Sequence, residues 1–123
     1  MKCVLIVDDN ALIRRIVRAS LEQNGWTVHE AGDGYDGVAK ARKLNPEVVV
    51  LDLVMPVMNG LEVTRELKRL MPAVRLLLFT TYVTPNLEQE AVAAGIPKVI
   101  AKADGTAPLV SHVERLSAEN PAA

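Results

Sequence analysis

Five polar residues stand at the ends of short apolar runs in this 123-residue chain. Val4 to Val7 stops at Asp8 and Asp9, Val48 to Leu51 at Asp52, Leu76 to Phe79 at Thr80, and Val99 to Ala101 at Lys102. If the runs are parallel strands of one sheet, all five residues gather at its carboxyl edge, where open α/β sheets bind ligands. Three carboxylates in one crevice repel one another, and desolvation raises the cost. A hard divalent cation relieves that repulsion, and oxygen ligands in an open site favour Mg2+, with Mn2+ as a substitute. A metal beside a lysine and a hydroxyl suits phosphoryl transfer, in which negative charge spreads over three equatorial oxygens that the protein must position and neutralise. The cation would take one oxygen, Lys102 a second and Thr80 a third. One carboxylate is then the nucleophile and forms an aspartyl phosphate. Asp52 is the best candidate, because it ends its run alone while Asp8 and Asp9 come as a pair.

The segments between the runs have helical period. Ile13, Ile16, Val17 and Leu21 recur at three- and four-residue spacing, with Arg14, Arg15, Arg18 and Glu22 between them. Asn10 suits the N-cap of that helix and Gly25 its stop. Thr27 to Ala31 alternates weakly and reads as an edge strand. Asp33-Gly34 opens a helix carrying Val38, Ala41 and Leu44, which ends before Pro46. Val48 to Leu51 is apolar on both faces, as a buried parallel strand should be. A helix with Leu61, Val63, Leu67 and Leu70 ends before Pro72, and the fourth strand starts at Val74 or Arg75. Thr84-Pro85 reads as an N-cap followed by proline at the first helical position. That helix carries Leu87, Ala91, Val92 and Ala94 and closes at Gly95, and a last helix uses Leu109, Val110, Val113 and Leu116. Strict β/α alternation with short loops predicts an α/β fold, a five-stranded parallel sheet covered by helices on both faces.

The length suits one domain. Half of the residues are hydrophobic, and a net charge of −1 offers no basic footprint, which argues against direct nucleic-acid binding by this chain. Cys3 is the only cysteine and reads as a small buried hydrophobe, so no internal disulfide forms. His29 and His112 are isolated and read as surface or helix-face residues, leaving no cluster for a softer metal. No apolar stretch is long enough for a signal-peptide core or a membrane span, so the expectation is a soluble, cytoplasmic protein with no membrane contact. Each polar residue at a strand end has a plain structural role open to it. Asp9 or Asn10 could cap the first helix, Asp52 a loop, Thr80 a strand end, and Lys102 could be solvated. Four such coincidences at one sheet edge are what the plain reading requires, and the functional reading needs none.

Taken together, Val7-Asp8-Asp9-Asn10, Leu51-Asp52-Leu53-Val54-Met55-Pro56 with Asn59-Gly60, Phe79-Thr80-Thr81, Ala94-Gly95 and Lys102 resemble the receiver domain of two-component response regulators, the CheY-like superfamily. The resemblance covers nearly the whole chain, with residues 1–118 as the domain and 119–123 as a short tail. It implies a flavodoxin-like (βα)5 fold with strand order 2-1-3-4-5. It further implies that Asp52 accepts a phosphoryl group from a sensor histidine kinase or a phosphotransfer protein. Asp8, Asp9, Asp52 and the backbone carbonyl of Val54 would hold Mg2+, Asp9 directly and Asp8 often through water. Thr80 and Lys102 would bind the phosphoryl group and draw their loops inward, which makes the protein a signalling switch and not an enzyme.

By the same resemblance, a downstream protein or a second copy docks on the face of the fourth helix, fifth strand and fifth helix. Tyr82, Leu87, Glu90, Lys98, Val99 and Leu109 are expected there. The chain departs from the family at Val99, where Tyr or Phe is usual, and Tyr82 is expected to serve the switch surface instead. The lysine is followed by Ala103-Asp104-Gly105 in place of the common proline. Val54 and Tyr82 flank the site; apolar Val54 orients no attacking water and Tyr82 is expected to shield the phosphoryl group, which implies slow self-dephosphorylation. Two other readings compete. A magnesium-dependent phosphohydrolase would carry a second Asp two residues after the nucleophile, where this chain has Val54. A pseudo-receiver that has lost its switch draws its support from Val99, against five intact site residues. The output is either that of a stand-alone receiver or that of a receiver taken from a longer regulator.

Overall fold

The alternation of apolar runs and amphipathic segments folds into one parallel sheet. The computed structural model describes residues 2–118, and the tail expected at 119–123 lies outside the described residues. The chain runs β1 (Cys3–Val7), α1 (Ala11–Gln23), β2 (Thr27–Ala31), α2 (Gly34–Leu44), β3 (Val48–Leu51), α3 (Gly60–Leu70), β4 (Arg75–Thr80), α4 (Pro85–Ala94), β5 (Val99–Ala101) and α5 (Thr106–Ala118). The strand order is β2-β1-β3-β4-β5 and every pairing is parallel. This is the flavodoxin-like arrangement the motifs implied.

Register decides what the sheet can do. Val7 lies opposite Ala31 on one side and Leu51 on the other, Leu51 opposite Leu78, and Leu78 opposite Val99. β1, β2 and β3 therefore end level, β4 and β5 run two residues further, and whatever follows the strands opens on one edge. Successive side chains point to opposite faces of a strand, so each central strand feeds two cores. Leu5, Val7, Val49, Leu51, Leu76 and Leu78 pack with residues of α2, α3 and α4. Val4, Ile6, Val48, Val50, Leu77 and Phe79 pack with residues of α1 and α5. At the opposite, amino edge, Trp26 is buried with its indole N–H donating to Glu114 Oε1 at 2.8 Å, and Lys2 Nζ stands 5.7 Å from its ring centre.

Polar caps fix where the helices begin, and so how long the loops at the carboxyl edge are. The Asn10 side chain accepts from Leu12 and Ile13 N–H, Asp33 from Asp36 N–H, and Thr84 from Leu87 N–H. Asn59 and Glu62 form a reciprocal capping box at the start of α3. Such caps contribute about 1 kcal/mol each. Asn10, not Asp9, is the cap of α1, which leaves Asp9 uncommitted. Asn45 and Gly95 end α2 and α4 in the left-handed conformation.

Several expectations are corrected. β4 continues through Thr80, which pairs with Ala101 and so lies inside the ladder. Lys102–Asp104 forms a short 3-10 turn that periodicity did not indicate. Of the residues expected on the face of α4, β5 and α5, Leu87, Val99 and Leu109 are buried and offer a partner no surface; Val99, at 7% exposure, packs in the core beneath α4. The reason is register: Val99 pairs with Leu78 and shares its inward face. Tyr82, Glu90 and Lys98 are exposed, as expected of that surface. Cys3, His29 and His112 are half-buried, and burial followed by the nearby charge of Glu47 pushes the Cys3 thiol up, away from reactivity.

The loop between β3 and α3 carries local strain. Val57 has φ +70°, and the Pro56 carbonyl accepts the Met58 N–H at 2.7 Å across it, which describes a γ-turn. That turn is rare and strained, the more so for a β-branched residue. Val57→Gly is expected to raise stability by about 1 kcal/mol, relieved strain outweighing glycine's larger loss of freedom on folding. Urea unfolding checks it: the midpoint should rise with an unchanged slope, and a lower midpoint contradicts the strain.

Candidate functional site

The level strand ends bring the acidic residues together. The Asp52 N–H donates to the Val7 carbonyl at 2.9 Å, which extends the β1–β3 ladder one step and sets Asp52 beside Asp8. The Asp8 N–H in turn donates to the Ala31 carbonyl at 3.1 Å. Asp8 and Asp52 are buried, at 2% and 7% exposure, while Asp9 is exposed at the rim. Each of the three offers a carboxylate oxygen, and these oxygens lie within 4.8 Å of one another.

One cation balances the pair at the bottom. Lys102 Nζ stands 2.9 Å from Asp8 Oδ2 and 3.3 Å from Asp52 Oδ2. Burial, and then the like charge of Asp8, hold the Asp52 carboxyl above the usual carboxylate range, with Lys102 pulling the other way. Burial works to lower the Lys102 ammonium, but its contacts with Asp8 and then Asp52 more than reverse this, and its pKa is raised. One ammonium thus holds two buried carboxylates, and Asp9 adds a third beside them. Three hard oxygen donors with excess negative charge fit Mg2+, and an acidic pocket of this kind fits a phosphoaspartate.

The surrounding loops hold these groups in place. Asp8 Oδ1 accepts the Asn10 N–H at 2.9 Å, and the Asp8 carbonyl accepts Arg14 Nη1 at 2.7 Å. Gly60 opens α3 directly beneath Asp52. A Cβ there would overlap the Asp52 carbonyl oxygen and press on Leu53, so only glycine lets helix and loop approach this closely. The Gly60 N–H donates to the Leu53 carbonyl at 2.8 Å. Thr80 is buried at the end of β4, next to β3 in the sheet. Val54 and Tyr82 are exposed at 70% and 79% and line one groove of about 540 Å³ with Leu53, Asn59 and Glu90. Val99 is not part of this edge's surface. In the sequence Arg14 is only one of the polar residues of α1. Its spacing from Asp8 gives no sequence signal, because the contact is to a backbone oxygen.

Comparison with known proteins agrees with this geometry. The response regulator receiver domain family matches residues 4–114, and the chain belongs to that family. The transcriptional activator protein ExaE of Pseudomonas putida is 32% identical over 117 residues, 94% of this chain and 55% of its own. The chemotaxis protein CheY4 of Vibrio cholerae superposes with a TM-score of 0.88 at 32% identity, covering 94% of this chain and 98% of that one. The response regulator protein TrrA of Thermotoga maritima, solved in complex with Mg2+ and BeF, gives a TM-score of 0.86 at 28% identity, covering 94% and 99%. The chain spans from 33% to 56% of the length of the curated relatives it matches. It is a receiver domain of a response regulator in two-component signalling. Such domains are signalling switches that interact with histidine kinases and downstream effectors.

The electrostatics give a pH test that is independent of function. With its pKa raised on folding, Asp52 binds more protons in the native state than in the unfolded chain, from the ordinary carboxylate range up to its native pKa. Stability therefore falls as pH rises through that window. In metal-free protein Asp52→Asn is expected to raise Tm at neutral pH. The gain should shrink as pH falls towards about 4, the ordinary range of aspartate. Equal Tm values at pH 7 contradict the reading.

Proposed function

We propose that Asp52 is the phosphoacceptor of a histidine-to-aspartate phosphotransfer, that residues 1–118 form the switch domain, and that 119–123 is a tail. The observation that carries this is the placement of Asp52 Oδ2 3.3 Å from Lys102 Nζ, in a pocket with two further carboxylates. A carboxylate oxygen of Asp52 attacks phosphorus, a P–O bond forms, and the P–N bond of the donor phosphohistidine breaks. The leaving imidazole nitrogen keeps the electron pair. Asp8, Asp9, Asp52 and the Val54 carbonyl would hold Mg2+, with Mn2+ as a substitute, and the bound metal supplies charge neutralisation for the incoming phosphoryl group. Lys102, already committed to both buried carboxylates, is free to turn from Asp52 to a phosphoryl oxygen, and the Thr80 hydroxyl takes another. Their movement shifts the β4–α4 and β5–α5 loops, a local charge change read out as shape.

The phosphoryl source is a protein in this reading, because the crevice has an apolar rim. Leu12 and Tyr35 are exposed in the first turns of α1 and α2, Val54 and Val57 in the loop after β3 and Tyr82 in the loop after β4, and only Ile16 and Val92 are exposed large apolar residues elsewhere among the described residues. Apolar residues around a charged pit suit a partner that seals it. Output passes to a protein or a second copy through α4, β5 and α5, where Tyr82, Glu90 and Lys98 face solvent. The net charge gives no reason to invoke nucleic acid. No described helix is long and apolar enough to cross a membrane, and the reading places the switch in the cytoplasm. Val54 stands where a phosphohydrolase would carry its second Asp, and the clustered site residues favour a working switch over a pseudo-receiver.

With Mg2+ and acetyl phosphate the protein is expected to gain one acid-labile phosphoryl group by mass. Asp52→Asn should gain none, and equal labelling of both moves the acceptor elsewhere. With Val54 and Tyr82 at the site, the label should persist for minutes or longer, and loss within seconds contradicts their role. Leu12→Ser is expected to slow transfer from a histidine kinase that phosphorylates the wild type by about tenfold. Its rate with acetyl phosphate should be unchanged. An equal drop in both rates would mean that the rim serves folding and not docking.

A further inference from the structure

The exposed metal-site carboxylate, Asp9, has a support that no motif records. Two peptide planes flank it, and each is fixed by a hydrogen bond. On its carboxyl side, the Asn10 N–H donates to Asp8 Oδ1 at 2.9 Å. On its amino side, the Asp8 carbonyl accepts Arg14 Nη1 at 2.7 Å. Fixing both planes fixes the direction of the Asp9 Cα–Cβ bond, although its side chain is open to solvent.

The guanidinium is itself aimed. Arg14 Nε donates to Glu30 Oε1 at 2.9 Å, and the two side chains are only 21% and 25% exposed. Glu30 also pairs with Arg18, whose Nη2 donates to the Val28 carbonyl at 2.6 Å. Lys40 Nζ donates to the Glu30 carbonyl at 2.6 Å. A planar fork reaching a carboxylate with one arm and a backbone oxygen with another is a task for arginine, and lysine has one nitrogen for both. Glu30 also balances a positive charge that would otherwise oppose a metal ion nearby.

We propose that Arg14, aimed by Glu30, is a positioning residue for Mg2+ binding: it holds the Asp8–Asp9 peptide so that Asp9 is set to meet the ion. Outer supports of metal ligands are commonly worth a 10- to 100-fold change in affinity. The inference rests on the reading of Asp8, Asp9 and Asp52 as the metal site. The sign of the effect separates it from simpler roles. If Arg14 acted only as a neighbouring charge, removing it would tighten Mg2+ binding. If it served only the fold, the affinity of the folded protein would not change.

The test is calorimetric titration of the whole folded chain with Mg2+ alone, with Tm measured in parallel without metal. Arg14→Gln is expected to weaken Mg2+ binding about tenfold. Arg14→Lys should recover Tm towards the wild-type value yet leave Mg2+ binding weak, because the two partners are met by separate nitrogens, Nε and Nη1, in a fixed planar fork that a flexible ammonium does not reproduce. Glu30→Gln should weaken binding in the same direction. Wild-type or tighter affinity in Arg14→Gln overturns the inference, as does full recovery of affinity in Arg14→Lys. Should Arg14→Gln fail to fold, Arg14→Lys still decides it, because it keeps the charge and removes the fork. If the wild type binds no Mg2+, or Asp9→Asn binds as the wild type does, the metal-site reading itself fails, which is a different result from an intact site indifferent to Arg14.

Discussion

Asp8 and Asp52 share one ammonium at the end of a parallel ladder, and the rest of the molecule is arranged around that unequal match. The two carboxylates are adjacent because β1 and β3 pair in register up to Val7 and Leu51, with one further hydrogen bond from Asp52 to Val7. Lys102 reaches both although β5 lies three strands from β1 and runs two residues past the level of Val7. A slip of one residue in any central strand would exchange its side chains between the two cores and would also carry a charged group out of reach. Packing and electrostatics therefore specify the same register. The two cores on either side of the sheet make the carboxyl edge rigid, and the edge holds an arrangement of charge that folding alone disfavours.

Much of this was legible in the chain because the signals were local. Apolar runs in a parallel sheet are continuous, helices show their 3.6-residue period, and Asn10, Asp33, Asn59 and Thr84 mark helix starts in the letters themselves. The site was legible for a related reason: a residue that follows a strand needs no further calculation to be placed at the sheet edge. What failed needed information from two strands at once. Val99, Leu87 and Leu109 are apolar residues on a face read as a surface, and only pairing and helix packing turn them inward. Thr80 looked like a residue after a strand and is its last member. Arg14 was hidden because its partner is a carbonyl oxygen, which every residue has and no sequence displays.

The buried Val99 also changes how a signal would leave the site. An aromatic ring at this position can swing between inside and outside, but a small branched side chain packed beneath α4 cannot. The elements left beside the pocket are Tyr82, exposed on the loop after β4, and the 3-10 turn that carries Lys102. Tyr82 lines the same groove as Val54 and Glu90, so a shift of the β4–α4 loop reshapes a surface that already faces solvent. Such a relay moves a loop without repacking the core.

Trp26 sits at the other end of the molecule, beneath the amino edge, clasped by Glu114 and Lys2. It is the only tryptophan in the chain. The indole lies at the amino edge and the charged crevice at the carboxyl edge of the same sheet. Its emission is therefore expected to follow the integrity of the fold, so that stability can be followed in one sample apart from occupancy of the opposite edge.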